Sequence, residues 1–261
     1  MTAPRLKVSR GALATVRLNR PEARNAMDAG FFQELAEAFA GLSADPSVRV
    51  VVLSAEGKDF CAGADLNWMR SAGQLRGEEA RKDAALVAGM CLAVARCRAP
   101  VVARVQGGVY GGGLGLVASC DIAIAGLESR WCFSEVRLGV VPAVISPFVL
   151  RKIGAGQALR CYLTAEPFTA KEALAMGLVQ EAVPEAELDA KVDGVVKRIM
   201  ANGPGAVAEA KALVRKLAAP ELDAELAACI ETLVRVRSTP EAQEGLKAFL
   251  EKRPASWSKA G

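Results

Sequence analysis

The run Val105–Gln106–Gly107–Gly108–Val109–Tyr110–Gly111–Gly112–Gly113–Leu114–Gly115, continued by Leu116–Val117–Ala118–Ser119–Cys120–Asp121, sets a glycine-rich corner between two kinds of periodicity. Before it, Pro100–Val101–Val102–Ala103–Arg104 reads as a short buried strand after a proline stop. After it the apolar spacing turns helical. Glycine lacks a Cβ, so the backbone there can take angles closed to other residues and can approach a ligand closely. The first N–H groups of a helix have no intrahelical acceptor and carry positive partial charge. Such a corner suits a negatively charged oxygen.

Gly113–Leu114–Gly115–Leu116–Val117–Ala118 also satisfies a loose G-x-G-x-x-G/A pattern, but a dinucleotide fingerprint begins directly at the end of a strand, and this strand ends several residues earlier. A P-loop is excluded, because no Gly-Lys-Ser/Thr follows the glycines. A tight turn with close helix packing is the plainer alternative. A second corner shifts the balance. The β-branched run Val48–Arg49–Val50–Val51–Val52–Leu53 leads into Ser54–Ala55–Glu56–Gly57–Lys58–Asp59–Phe60–Cys61–Ala62–Gly63–Ala64–Asp65–Leu66, again with small residues between a strand and a helix start. Two such corners can aim two N–H donors at one oxygen, the geometry of an oxyanion hole for a thioester carbonyl becoming an enolate.

The repeated order of strand and helix predicts an α/β fold. Leu13–Leu18 is a strand, followed by a helical stripe of Phe31, Leu35, Ala36, Phe39 and Leu42. The strand Val48–Leu53, a variable polar stretch around Ser71–Arg81, and the helix Ala84–Arg96 come next. The strand Val101–Val105, the helix Gly112–Ser119 and the strand Ile122–Ala125 complete the alternation. Asn202–Gly203–Pro204–Gly205 marks a boundary, which divides the chain into a core at 1–202 and a helical region at 203–261. In the latter, Val207, Ala210, Leu213, Val214 and Leu217 recur at helical spacing, as do Leu226, Ile230, Leu233 and Val234. These stripes either join copies of the chain or cover its own core.

Composition narrows the chemistry. The 261 residues, 52% hydrophobic and 24% charged, are enough for a sizeable core and ordinary for a soluble globular protein. There is no histidine, which removes every Ser-His, Cys-His and His-metal mechanism. The seven cysteines, at 61, 91, 97, 120, 132, 161 and 229, form no C-x-x-C pair and lie mostly among apolar neighbours. They read as reduced core residues of a cytoplasmic protein, with Cys61 the one to test for reactivity. The N-terminal Met1–Val8 has no apolar signal core, and the longest apolar run, about Ala84–Ala95, is too short to cross a bilayer. A net charge of +4 favours an anionic ligand over nucleic acid.

Phe60–Cys–Ala–Gly–Ala–Asp–Leu66, Gly107 with Gly111–Gly–Gly113, and Cys120–Asp–Ile–Ala–Ile–Ala125 resemble the enoyl-CoA hydratase/isomerase (crotonase) family, as does Thr15–Val–Arg–Leu–Asn–Arg–Pro–Glu–Ala–Arg–Asn–Ala–Met27. Ala64–Asp–Leu–Asn–Trp–Met69 and Phe133–Ser–Glu–Val–Arg–Leu–Gly–Val–Val–Pro–Ala–Val–Ile–Ser–Pro147 are most similar to its bacterial methylglutaconyl-CoA hydratases. The resemblance implies a spiral of β-β-α turns with a C-terminal helical trimerisation region, and a homotrimer or dimer of trimers. It implies an acyl-CoA thioester as substrate, with coenzyme A part of that substrate, and no separate cofactor, metal or membrane. The family's RNA-binding member has a lysine-rich first helix, whereas Asp28–Ala40 has no lysine, so no nucleic-acid partner is expected.

The resemblance also implies site residues. Ala64 and Gly112 would supply the oxyanion N–H groups. Arg24, Ala26, Ala62, Asp65, Leu66 and Gly111 would lie along the substrate and coenzyme A path. The family's hydratases carry two glutamates. Here the first position is Gly115 and the second is Glu135, set between Trp131–Cys132–Phe133 and Val136. An apolar setting would raise the Glu135 pKa and suit proton transfer near neutrality. Gly115 is expected to leave room for a branched substrate or an ordered water. One carboxylate moving both protons would make the protein a branched enoyl-CoA hydratase, acting between 3-methylglutaconyl-CoA and 3-hydroxy-3-methylglutaryl-CoA as in leucine/isovalerate metabolism. A delta-3 to delta-2 enoyl-CoA isomerase also needs only one such group, and an idle CoA-binding homologue needs none. A substrate carboxylate would call for a cation, for which Arg70, Arg76, Arg81 and Arg137 are the candidates.

Overall fold

A computed structural model describes residues 4–219 and 221–259. Strands β1 (Leu6–Ser9) and β2 (Leu13–Leu18) form an antiparallel hairpin, with Leu6 opposite Leu18. Helix α1 (Ala29–Ala44) starts where the Asp28 carboxylate accepts the Phe31 N–H at 2.9 Å, and it buries Phe31, Phe32, Leu35, Phe39 and Leu42. Strand β3 (Val50–Ala55) runs parallel to β2. Helices α2 (Leu66–Ala72) and α3 (Gly77–Arg96) follow, then β4 (Val101–Val105), β5 (Gly108–Tyr110) and α4 (Gly112–Ser119). The next turn contains β6 (Ile122–Gly126), β7 (Arg130–Cys132), a 3-10 turn at Glu135–Leu138 and α5 (Ser146–Thr164). After β8 (Phe168–Thr169), α6 (Ala170–Met176) and β9 (Glu181–Val183), the chain is mainly helical: α7 (Leu188–Met200), α8 (Pro204–Ala218), α9 (Leu222–Arg237) and α10 (Pro240–Leu250).

The strands form two sheets. One has the order β1-β2-β3-β4-β6-β9, and the smaller has the order β5-β7-β8. Successive units, β4-β5-α4 and then β6-β7-α5, each give one strand to each sheet before a helix. This is the expected spiral of β-β-α turns. Alternation along β3 and its neighbours supplies two buried faces. Val50, Val102 and Ile124 pack on Leu188, Val192, Val195 and Val196 of α7, while Val51, Leu53, Val101 and Ala103 face the main core. The stretch 71–81 differs from its polar reading, for it closes α2 and opens α3. Glu78 and Glu79 occupy the first turn of α3, and Ala80, Ala84, Val87, Ala88 and Cys91 form its buried stripe. Six of the seven cysteines are buried, and Cys229 is half-buried. No described helix is long and apolar enough to cross a membrane.

The C-terminal helices behave in two ways. Leu226 and Leu233 of α9 join the main core, and Ala242 and Leu246 of α10 pack with Leu138 at the end of the 3-10 turn and Val140 just after it. These two helices cover the chain's own centre. Helix α8 instead leaves Leu213, Val214 and Leu217 exposed, at 58%, 65% and 73%. It is tied to the core by charge. Asp121 receives Lys211 Nζ and Arg215 Nη2, each at 2.7 Å, and also accepts the Val101 N–H.

Candidate active site

Two backbone corners meet at one cavity. The first is fixed by residues 24–27. Buried Asn25 accepts the Arg20 N–H and donates to the carbonyls of Glu56 and Asp59, each at 2.9 Å. Met27 then pairs with the second segment: its N–H donates to Gly63 O, and its carbonyl accepts the Asp65 N–H. This parallel bridge straddles Ala64, so the Ala64 N–H points away from Met27. Asp65 caps α2, accepting the N–H groups of Asn67 and Trp68, and forms an ion pair with Arg20. Its carboxylate is committed to those contacts.

The second corner is Gly111, the N-cap of α4. Its φ of 48° and ψ of −117° lie in a region closed to side-chain-bearing residues. That conformation turns the chain from β5 straight into the first turn of α4. The N–H groups of Ala64 and Gly112 have no acceptor among the described residues. Both residues line the same cavity as Glu135. Two unsatisfied donors, one at a helix N-terminus, can hold an oxygen that gains negative charge.

Glu135 opens the 3-10 turn after β7. The residue as a whole is half-buried, yet its carboxyl Oε2 is sealed from solvent and has no hydrogen-bond partner. Burial pushes its pKa up to about 7. A Cβ placed on Gly111 would lie 3.3 Å from Glu135 Oε1, so the carboxyl stands against the corner that carries the free donors. A carboxyl that is near half-ionised at neutral pH can both take and return a proton.

Arg24, Ala26, Ala62, Asp65, Leu66 and Gly111 all line a cavity of about 690 Å³ that also reaches Ala64, Gly112 and Glu135. Arg24 is half-exposed, paired with Asp59 at 2.6 Å and set over the Tyr110 ring. A smaller cavity of about 80 Å³ continues from the same three residues into an apolar region of Trp68, Val87, Val141, Ile145, Leu233 and Leu246.

Gly115 requires a correction. It lines neither cavity, and the room expected there for a substrate branch or a water is filled by Ile145. A Cβ on Gly115 would run into Ile145 Cγ2 and lie 2.6 Å from Ile145 Cβ. A glutamate at that position would meet the same obstacle. The four arginine candidates are also displaced. Arg70 is exposed, Arg76 turns back on Gly73 O and Leu75 O, and Arg81 pairs with Glu231. Arg137 donates to Ala165 O at 2.7 Å and borders only the larger cavity. The arginine in the smaller cavity is Arg237, which sequence reasoning missed. Its position at the end of α9, 102 residues from Glu135 in the numbering, offered no local signal. Cys61 is not a reactive thiol: burial pushes its pKa up to about 12, and its Sγ donates to Asn25 O.

Known proteins share this fold and its sequence pattern. The chain matches the family model for Enoyl-CoA hydratase/isomerase over residues 9–260. It is 32% identical to Crotonyl-CoA hydratase of Syntrophomonas wolfei, over 94% of this chain and 94% of the relative. It is 33% identical to Short-chain-enoyl-CoA hydratase of Clostridium acetobutylicum, over 93% of each. Among solved structures, an enoyl-CoA hydratase from Mycobacterium avium superposes with a TM-score of 0.87 and 37% identity, over 98% of this chain and 100% of the other. With a fold, a matching family model and full-length relatives in agreement, the chain belongs to the enoyl-CoA hydratase/isomerase family.

Proposed function

We propose that this enzyme reversibly adds water to a short branched enoyl-CoA, between 3-methylglutaconyl-CoA and 3-hydroxy-3-methylglutaryl-CoA, with Glu135 as its one acid/base. The observation that carries this reading is the Glu135 carboxyl, whose Oε2 is buried without a partner and whose pKa is raised to about 7, on the cavity wall beside two free N–H donors. In the hydration direction, the carboxylate takes a proton from water as the oxygen bonds to C3. The thioester carbonyl becomes an enolate held by the N–H groups of Ala64 and Gly112. The protonated Glu135 then gives its proton to C2. One H and one OH are added, and the carboxylate is restored. Dehydration runs the same steps backwards.

A short acyl tail is supported by the small size of this apolar cavity, about 80 Å³ against about 690 Å³ for the larger one. Coenzyme A would follow the larger cavity past Arg24, Ala26, Ala62, Asp65 and Leu66. A second reading, migration of the double bond from C3–C4 to C2–C3 with a proton carried from C2 to C4, is favoured by one observation: residue 115 is glycine and Ile145 fills the space beside it, so no second carboxylate stands there to hold water. Assaying a panel of crotonyl, 3-methylglutaconyl and 3-enoyl thioesters separately for hydration and for double-bond migration tests the choice. Hydration of 3-methylglutaconyl-CoA above crotonyl-CoA is the expected result. Migration without hydration of any thioester would replace the hydratase with the isomerase. We also propose a trimer, or a dimer of trimers, joined through the exposed Leu213–Leu217 face of α8 in the 203–261 region.

A further inference from the structure

A buried arginine stands in the acyl cavity, and the mechanism above does not use it. Arg237 ends α9, and its side chain is only 13% exposed. Its Nη1 meets Asp83 Oδ2 at 2.7 Å, and Asp83 is itself only 11% exposed. The guanidinium lies 4.7 Å from the centre of the Trp68 ring. The Trp68 indole N–H donates to the other Asp83 oxygen at 2.8 Å. Trp68 is held in turn by an edge contact with Phe32. Each member of this group fixes the next. The group stands in the same small cavity as Ala64, Gly112 and Glu135, where Arg237 is the one basic side chain among the described lining residues.

Packing alone gives no reason for the pair. A buried ion pair is commonly no more stabilising than apolar side chains of the same volume. Here the walls around it, Val87, Leu233 and Leu246, are already apolar. The pair also leaves donors unused. Arg237 gives Nη1 to Asp83, while Nε and Nη2 have no acceptor among the described residues. Neither atom is sealed off in the way that Glu135 Oε2 is. Nε and Nη2 share one edge of the guanidinium, where two parallel N–H bonds match the two oxygens of a carboxylate. Asp83 on the far edge and Trp68 on the face would hold that fork in one orientation, so little rotamer freedom remains to be lost on binding.

We infer that Arg237, oriented by Asp83 and Trp68, selects acyl thioesters whose short tail ends in a carboxylate. This assignment rests on the branched, carboxylated substrate proposed above. It places the specificity of the site on a helix remote in sequence from both oxyanion corners.

The test compares kcat/KM for hydration of 3-methylglutaconyl-CoA and of crotonyl-CoA in the full-length enzyme and three variants. Arg237→Met removes the fork. Arg237→Lys keeps the charge and loses the paired geometry. Asp83→Asn/Arg237→Met removes both charges, leaving an acceptor for the Trp68 N–H and no unpaired buried carboxylate. Circular dichroism checks the fold of each. The ratio of the two kcat/KM values is expected to fall at least about tenfold in Arg237→Met and in the double variant, mainly through KM for the carboxylated thioester, with Arg237→Lys between. A wild type without preference for the carboxylated thioester would overturn the substrate reading and this assignment with it. A wild-type preference that survives in the folded double variant overturns the role of Arg237 alone. Equal losses on both thioesters would make the Arg237–Asp83 pair a purely structural contact and also overturn the role.

Discussion

Replacing Glu135 with glutamine should inactivate the enzyme and stabilise it. The side chains are nearly the same size, so the site keeps its shape while the ionisable proton is lost. In the folded protein, burial raises the Glu135 pKa from 4.5 to about 7. In the unfolded chain it returns to the lower value. Below pH 4.5 the group is neutral in both states, and it weakens neither. As pH rises from 4.5 through about 7, the unfolded chain releases this proton first, and stability is lost progressively. Above 7 the loss is complete. The gap corresponds to about 3 kcal/mol at 1.36 kcal/mol per pH unit. Glutamine carries no such burden. Urea unfolding of the two proteins should therefore differ by under about 1 kcal/mol at pH 5 and by about 3 kcal/mol at pH 8.5, with the Glu135→Gln variant the more stable. The melting difference at the higher pH should be about 6–12 °C for a chain of this size. A difference independent of pH, or a less stable variant at pH 8.5, would show that the carboxyl is not held in an uncompensated apolar site. The same variant should lose hydration and deuterium uptake at C2 from heavy water together, because histidine is absent and Asp65 is spent on capping α2. Exchange at the wild-type rate in the folded Glu135→Gln protein would place the base elsewhere.

Four further outcomes follow from the geometry. The hydration kcat/KM should rise with pH along a single limb centred near 7, since one carboxylate must be ionised to begin; a bell-shaped profile would reveal a second acid/base group. Ala64→Pro, which deletes one donor, should lower kcat about a hundred- to a thousandfold, whereas Ala64→Ser should cost far less; equal losses in folded proteins would mislocate the oxyanion site. Gly115→Ala should destabilise by about 1–3 kcal/mol through its clash with Ile145, and Gly115→Glu should fold only alongside Ile145→Gly, as thermal melts of the single and double variants would report. Leu213→Glu/Leu217→Glu should convert a trimer to monomers in mass photometry if α8 joins the copies, and an oligomer unchanged by that pair would put the interface elsewhere.

Much of the site could be read along the chain because its chemistry is local. The glycines at 111–113 and the small residues at 62–64 mark turns where backbone donors come free, and those features are written in consecutive residues. The same holds for α1 and β4, whose apolar spacings are long enough to identify. Strands β5, β7 and β8 have three residues or fewer, too short for a period to emerge. Their pairing depends on partners elsewhere, as Cys61 bridging to Val109 does. The 71–81 segment misled for a related reason. Its charges describe the exposed side of a helix whose buried side becomes visible only farther along α3.

Gly115 and Arg237 mark the limit of local reading. From the sequence, Gly115 is a missing side chain, and whether the vacancy is open or filled depends on what packs there. Ile145, from the loop before α5, fills it. Arg237 is one of many arginines in the chain, and nothing near it in the sequence distinguishes it. It acquires its place because Leu226 and Leu233 bury α9 against the core and carry that helix's last residue beside Trp68 and Asp83. Backbone donors, turn chemistry and apolar period are properties of neighbouring residues, so the family, the fold class and Glu135 were within reach of the sequence. Burial and side-chain proximity are properties of the folded whole. The raised Glu135 pKa, the closed space at Gly115 and the charged group in the smaller cavity arise only when distant segments pack together.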